Sequence, residues 1–487
     1  MTVSELSPQA SPPLNAGDAP ATPPPQPALW RRIWRKVWRV LRWMLLAVLV
    51  LVVLVLGCWT VLPDEEQNPE LQALLALQPE AHPEQNAFYA LWGLDAAPER
   101  DAYQVGWQVV QAYEALLKSG GKPETFDPKP IIGSTAGAVP HAEINTCAAH
   151  EAPPCLDGIR AHRSELEALA KAQAPYLQRY RDLRQYDHFE NTMTRAVSEP
   201  FMSWQHVGEL SSLVDAQIVY GVEKPQTRAA ALAELQQEVA LWRRLGRDSN
   251  SLVAHFVAAA QLMHKLRLTS LLLSQSPAWA SQYPAEFQAL TQALDPADVS
   301  MDKALKMEVR FSAAIHQNML NLTEEPWLLR RLASLQFRPN ATLNTDLALR
   351  QRVLAVYAKR PIIDAAASAE AVPSVPLPNL ASPSLWLYNP IGKVLNSIAG
   401  SQVYVDYFRR MIDLQAYSRL VELQRQIAVA HLPPDQVAAF VAGVGPDLRD
   451  PYTGQAMQYD AQAHTLSFHA RGGSRTEGRE YVVRLAL

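Results

Sequence analysis

Two cysteines and two histidines in one polar stretch are the residues best suited to chemistry. They are Cys147, His150, Cys155 and His162. Seven residues separate the cysteines, which is enough chain to bring two sulfur atoms together. In an oxidising compartment such a pair forms a disulfide, and closing so short a loop contributes about 2–3 kcal/mol. We therefore predict a disulfide between Cys147 and Cys155.

Zinc is the alternative use of these four side chains. Two sulfurs and two imidazole nitrogens suffice for tetrahedral zinc, and the Cys147-x2-His150 spacing suits a zinc knuckle. The spacing from Cys155 to His162 is unusual for zinc, and oxidation removes the thiolates that the metal requires. The disulfide is therefore favoured, and we predict no metal and no cofactor. Covalent haem lacks its Cys-x-x-Cys-His motif.

Signatures of common catalytic sites are missing or incomplete. Residues 133–137 have the two glycines of a nucleophile elbow, but Thr135 occupies the serine position in a loop near Pro140. There is no His-Glu-x-x-His and no phosphate-binding Walker loop. The sequence predicts no catalytic residue and favours a protein that is not an enzyme.

Histidines near acids offer weaker alternatives. Asp187, His188 and Glu190 put two carboxyl groups beside an imidazole, which suits acid–base chemistry but also a solvated helix end. His255 and His264 lie nine residues apart on one predicted helix. Nine residues are two and a half helical turns, so the two rings point to opposite sides and form no joint site.

An uninterrupted apolar run indicates how the chain is placed in the cell. Residues 43–62, from Trp43 to Leu62, contain no charge, and about 20 apolar residues cross a bilayer as a helix. Basic residues precede the run, and Asp64, Glu65 and Glu66 follow it. By the positive-inside rule the N-terminus is cytoplasmic and the remainder lies on the other side. The predicted interface residues are Trp30, Arg31, Arg32, Trp34, Arg35, Lys36, Trp38, Arg39, Arg42 and Trp43.

Two other interpretations of the apolar run remain open. A cleaved signal peptide has a shorter apolar stretch and ends in small residues, whereas here about 40 residues precede the run and no Ala-x-Ala site follows it. A lipoprotein signal is suggested by Leu54-Val55-Leu56-Gly57-Cys58, whose cysteine would be acylated. Cys58 is otherwise a small apolar residue inside the membrane helix.

The rest of the chain is patterned mainly for helices. Residues 1–29 are rich in proline and alanine and predict a disordered cytoplasmic tail, followed by a basic, tryptophan-rich segment at 30–42. Residues 63–445 predict an irregular multi-helix domain, in which Ser164 caps one helix and a proline-rich loop spans 361–385. Residues 446–487 predict a small antiparallel β meander. The fold class is mainly α.

The meander begins with a turn that has a wider resemblance. Pro451 and Gly454 in Asp450-Pro-Tyr-Thr-Gly454 suit a tight turn, with Gly454 free to take positive φ. This segment, with Tyr459, resembles the C-terminal part of type II secretion pseudopilins. The pseudopilin processing motif is absent, so no pilin role is inferred and no calcium site is carried over.

A second resemblance follows the membrane run. Residues Asn86-Ala-Phe-Tyr-Ala-Leu-Trp-Gly-Leu-Asp95 resemble the opening of uncharacterised single-pass inner-membrane proteins of proteobacteria. That resemblance implies a bacterial inner membrane and a periplasmic domain, and it implies no activity.

Function can be bounded from these observations. A net charge of −4 gives no sign of nucleic-acid binding. We expect the partners to be the lipid bilayer and another envelope protein, and the role to be structural or ligand-binding. The alternative is an envelope enzyme with an active site between helices.

Overall fold

The computed structural model describes residues 27–76, 80–134, 154–194, 196, 198–320, 326–358, 379, 382–398, 402–472 and 479–487. Most of the predicted tail, Cys147, His150 and most of the proline-rich loop lie outside these ranges. The chain divides into two compact units, Met1–Val61 and Leu62–Leu487.

The first unit contains one helix, α1, over Pro27–Val61. Its 35 residues amount to about 52 Å at about 1.5 Å per residue. Pro27 stands at the first helical position, where its missing N–H costs nothing. Residues Ile33–Val61 are long and apolar enough to cross a membrane, and their place near the N-terminus also fits a signal sequence. All ten predicted interface residues lie within α1.

The second unit is mainly helical, which confirms the predicted fold class. In chain order its α-helices are α2 Pro69–Leu75, α3 Ala87–Trp92, α4 Ala102–Lys118, α5 Lys129–Ile132, α6 Pro154–Ala161, α7 Arg163–Ala172, α8 Ala174–Asp182, α9 Trp204–Glu223, α10 Arg228–Asp248, α11 Leu252–Gln275, α12 Trp279–Gln282, α13 Pro284–Thr291, α14 Asp302–Leu320, α15 Trp327–Gln336, α16 Pro339–Ala358, α17 Pro383–Leu387, α18 Pro390–Ile398, α19 Gln402–Ala430 and α20 Pro434–Gly443. Short 3₁₀ turns occupy Pro83–Gln85, Pro123–Thr125, Leu183–Gln185 and Pro446–Leu448.

The main core forms around α11. Apolar side chains occupy several faces of this helix, so it is buried on several sides. It packs against α9, α10, α13 and α19. Ser251 caps its N-terminus by accepting a hydrogen bond from the Ala254 N–H. Trp242 of α10 and Tyr180 of α8 are among the largest fully buried side chains. A smaller core joins α2 to α14 and α16 through Leu71, Val309, Ala313, Leu343 and Leu347.

One predicted helix start was wrong. Ser164 was expected to cap its helix, but α7 begins at Arg163 with His162 in the cap position and no capping side-chain hydrogen bond. The reason is that α6 ends only two residues earlier, so the chain arrives already in a helical path. Glu167 lies 3.5 Å from Arg163 as an ion pair along the same helix.

The C-terminal sheet has the predicted antiparallel form. Strands β1 Gln458–Asp460, β2 Thr465–His469 and β3 Glu480–Arg484 lie in the order β1-β2-β3, with Tyr459 opposite Leu466 and Leu466 opposite Val483. In the preceding turn Gly454 adopts a φ of 69°, as predicted. The Tyr452 hydroxyl donates to Asp413 at 2.5 Å and so fixes the turn to α19.

A close backbone contact joins α3 to α4 at Gly106. A Cβ atom at this position would lie 1.7 Å from the Tyr89 carbonyl oxygen and 2.9 Å from Trp92 Cβ. The glycine is needed because α3, whose six residues are all buried, packs directly on the α4 backbone.

We predict that Gly106→Ala lowers the free energy of unfolding by about 1–3 kcal/mol or more, because backbone atoms must separate to admit the methyl group. The control is Gly246→Ala, whose Cβ would meet Ala258 Cβ at an ordinary 3.5 Å. Since alanine is the better helix former, this control should be neutral or gain up to about 1 kcal/mol. Chemical unfolding of the full chain in detergent measures both, and equal effects would contradict the packing argument.

Candidate functional site

The predicted cysteine and histidine cluster falls partly outside the described residues. Cys155 is buried at the start of α6, whereas Cys147 and His150 lie in residues 135–153, which the structure does not describe. The disulfide therefore stays a prediction. His162 Nδ1 lies 3.0 Å from Glu165 in an exposed ion pair. Within the described part of the chain, no group of three or more histidine, cysteine or acidic residues could hold a metal ion.

The first glycine of the incomplete nucleophile elbow has a structural use. Gly133 ends α5 with a φ of 58°, a left-handed conformation that glycine adopts at little cost. Arg100 covers this helix end and donates to the Ile131 carbonyl at 2.5 Å. Thr135 and the second glycine lie outside the described residues.

His188 has an acidic partner, but not one of its chain neighbours. Its Nε2 lies 3.1 Å from Glu80, which also accepts from Asn86 Nδ2 at 2.6 Å and from the Tyr89 hydroxyl at 2.8 Å. Burial raises the pKa of Tyr89 well above its usual 10, and Glu80 adds to that rise. These bonds attach residues 186–192 to the start of α3, where the Ala87 N–H also donates to the His188 carbonyl at 2.9 Å. These contacts around Glu80 and His188 therefore have a structural role.

His255 and His264 do not form a joint site. His255 is buried, and its Nδ1 lies 2.8 Å from the Gly246 carbonyl of α10. Burial lowers the pKa of His255. Burial, aided by Arg267 and Lys265, lowers the pKa of His264 to about 3. Both imidazoles are therefore neutral near pH 7, as packed histidines in helical cores usually are.

A buried charged cluster at the centre of the helical core was missed by sequence reasoning. Lys265 on α11 has no solvent exposure, and its ammonium lies 2.6 Å from Asp215 and 2.8 Å from Ser211 Oγ, both on α9. Glu238 on α10, equally buried, lies 3.3 Å from the same ammonium. Three helices thus converge on one cation.

Side chains in the outer part of the cluster donate hydrogen bonds to the Glu238 carboxylate. The Tyr180 hydroxyl donates to Glu238 at 2.6 Å, and Trp242 Nε1 donates to the Tyr180 hydroxyl at 3.1 Å. Arg184 donates to Glu238 at 2.7 Å and to Glu234 at 2.7 Å. Each charge is therefore met by an opposite charge or a hydrogen bond, as buried ions require.

Burial changes the pKa of one acid in this cluster. It raises the pKa of Asp215 to about 6, although the positive charge of Lys265 opposes that rise. A raised carboxyl pKa is a property of catalytic acids and also of structural ion pairs. Two cavities, of about 340 Å³ beside Pro433 and Leu487 and about 200 Å³ beside Glu70 and Arg350, are lined by other residues. The arrangement therefore fits structural support better than catalysis.

The chain immediately after the apolar run is bound to the start of α16. Asp64 accepts from the Asn340 N–H at 2.9 Å and from the Ala341 N–H at 3.1 Å, so it satisfies free donors at that helix end. Arg338 donates to the Leu62 carbonyl at 2.9 Å. We call residues 62–68 with these partners the clamp.

Two asparagine side chains extend the clamp. Asn340 Nδ2 donates to the Glu65 carbonyl at 3.0 Å, and Asn344 Nδ2 donates to the Glu66 carbonyl at 2.9 Å. Asn344 Oδ1 accepts from the Asn68 N–H at 3.0 Å, just before α2 begins. Sequence reasoning used the acidic residues only for topology, because their partners lie more than 270 positions away.

Two helices that are joined through Arg338 and Asn389 next to the clamp carry exposed apolar side chains. Trp327, Leu328 and Leu329 at the start of α15 are 72%, 53% and 53% exposed, and Trp386 and Leu387 of α17 are 39% and 41% exposed. We call these five residues the apolar surface. Both helices contact α18, and the Arg338 N–H donates to Asn389 Oδ1 at 2.9 Å between them.

Comparison with known proteins adds no family. No protein-family model, no curated protein and no solved structure matches the chain. The resemblances to proteobacterial inner-membrane proteins and to pseudopilins therefore stay predictions.

We predict that Lys265→Met destabilises the domain by about 3–5 kcal/mol, because it leaves Asp215 and part of Glu238 buried without their cation. The control is Lys303→Met, which removes an exposed ion pair with Asp248 and should cost under about 1 kcal/mol. Adding Asp215→Asn to Lys265→Met should recover part of the loss. Chemical unfolding measures all three, and equal costs for the two single variants would contradict a structural role.

Proposed function

We propose that this chain is a single-pass protein of a bacterial inner membrane, with a periplasmic helical domain that has a binding or structural role. The observation that carries the proposal is the charge-free run at 43–62, with basic residues before it and acidic residues after it. The arginines and tryptophans of 30–42 would lie among the headgroups on the cytoplasmic side.

The clamp supports a permanent anchor over a cleaved signal. Residues that follow a cleaved signal become a new chain end, whereas Leu62 and Asp64 here bond to Arg338 and α16 and lead into buried Leu71. Cleavage within this segment would disturb bonded residues of the folded unit. An anchor that continues straight into the fold is consistent with this pattern.

A binding role is favoured over catalysis by where the polar and apolar groups lie. The acids and bases around Lys265 satisfy one another inside the helical packing, whereas five large apolar side chains of α15 and α17 are exposed. Exposed apolar groups of this kind mark sites of interaction. The observation that supports the alternative, an envelope enzyme, is the raised pKa of Asp215.

Topology can be tested with reporters and thiol labelling in intact cells. A phosphatase that is active only in the periplasm should be active when fused after Leu487 and inactive when fused in residues 1–29. When the same cells are quenched with acid and the protein is denatured so that buried Cys155 is accessible, Cys147 and Cys155 should react with a thiol reagent only after a reductant is added. Replacing the six basic residues of 31–42 by glutamate should reduce or reverse the phosphatase activity. The opposite fusion pattern in the unaltered chain would contradict the proposed orientation.

The binding role predicts specific neighbours in the envelope. Crosslinking of intact membranes, followed by purification of the full chain in detergent, should enrich a small set of envelope proteins. The control is an unrelated single-pass protein expressed at the same level. Enrichment no greater than in this control would contradict a protein-binding role.

A further inference from the structure

We propose that the apolar surface binds the membrane itself, in the headgroup region of the periplasmic leaflet, where the anchor leaves the membrane after Leu62. This inference rests on the proposed membrane anchor. It assigns a lipid surface to Trp327, Leu328, Leu329, Trp386 and Leu387.

A hydrogen bond and a short stretch of chain join the α15 part of the surface to the end of the apolar run. Leu62 is the last residue of the apolar run, and its carbonyl accepts a hydrogen bond from Arg338 at 2.9 Å. Arg338 follows α15 by two residues, and the ten residues of α15 extend about 15 Å. With the two linking residues and the Arg338 side chain added, Trp327 lies at most about 30 Å from the Leu62 carbonyl, a distance comparable to the width of a small domain.

The α17 part is held to the same place. Tyr388 follows Leu387 directly, and its pKa is raised first by burial and then by Asp64 and Glu65 of the clamp. Asn389, the next residue, accepts from the Arg338 N–H. The α17 part of the apolar surface is therefore within two residues of a contact with the clamp, and the α15 part is within eleven.

The side chains have the chemistry of a membrane interface. Tryptophan is enriched at headgroup depth, and leucine gains by leaving water for the acyl boundary. Arg330 and Arg331 follow the apolar residues on α15 and are exposed, so they can attract anionic headgroups. A basic helix with an apolar end is suited to a negatively charged lipid surface.

Tethering explains why a small surface suffices. A free protein with five exposed apolar side chains would bind lipid weakly. An anchored domain stays beside its own membrane, so a weak contact is populated without the affinity that a free protein would need. The tether thereby favours lipid over a soluble partner as occupant of this surface.

A photo-crosslinking amino acid tests the proposal in the full chain. The chain is reconstituted in vesicles of phosphatidylethanolamine and phosphatidylglycerol, with the crosslinker replacing Trp327. The matched control is Phe201, which is 71% exposed against 72% for Trp327 and lies in the segment before α9. Mass spectrometry counts lipid adducts, and position 327 should give at least about tenfold more than position 201.

Further positions separate the possible outcomes. The crosslinker at Leu46, inside the apolar run, must give lipid adducts if the anchor spans the membrane; their absence would contradict the proposed function. Adducts at 46 without adducts at 327 would overturn only the present inference. Adducts at 327 to a second copy or to another protein would overturn it in favour of that partner. Arg330→Glu with Arg331→Glu should lower the yield at 327 by about fivefold or more.

Discussion

The ammonium group of Lys265 imposes the strictest requirement on the fold. It lies among three helices without contact to water, and an isolated cation in such a place would lose far more hydration than packing returns. The carboxylates of Asp215 and Glu238 must therefore lie beside Lys265 whenever α11 is packed in the core. Because those acids lie on α9 and α10, the charge selects one rotation and one depth for each helix. Apolar contacts alone tolerate small slips between helices, but this ion network does not.

Local patterns were sufficient to predict the fold class and the order of its two main parts. The helical domain at 63–445 and the antiparallel meander at 446–487 were both predicted, and the structure shows both. These predictions succeeded because apolar residues that recur every 3.6 positions in a helix, or every 2 positions in a strand, can be recognised within a short stretch of sequence. The prediction that Ser164 caps a helix was wrong. A serine followed by a glutamate three positions later does not show whether the preceding residues, here those of α6, are already helical.

The candidate sites were less predictable because their partners are distant in sequence. His188 was grouped with Asp187 and Glu190, its neighbours, yet its acid is Glu80, 108 positions earlier. Lys265 is the one lysine in a mainly apolar helix that also carries Arg267. Nothing in the neighbouring sequence identifies Asp215 or Glu238 as its counter-ions. One signal was available: a lysine on a helix that is apolar on every side must find an acid, which directs attention to acids on neighbouring buried faces.

The clamp leaves the chain with no slack between its apolar run and its folded unit. Leu62, the residue after α1, is already bonded to Arg338, and Asp64 is bonded to the first turn of α16. A pull along the chain from the α1 side would therefore be carried by α16 and its packing within two residues, with no unfolded spacer to absorb it. In the proposed anchored form, a load on the membrane helix would pass directly to the folded unit, and that unit would have little radius in which to search for a partner.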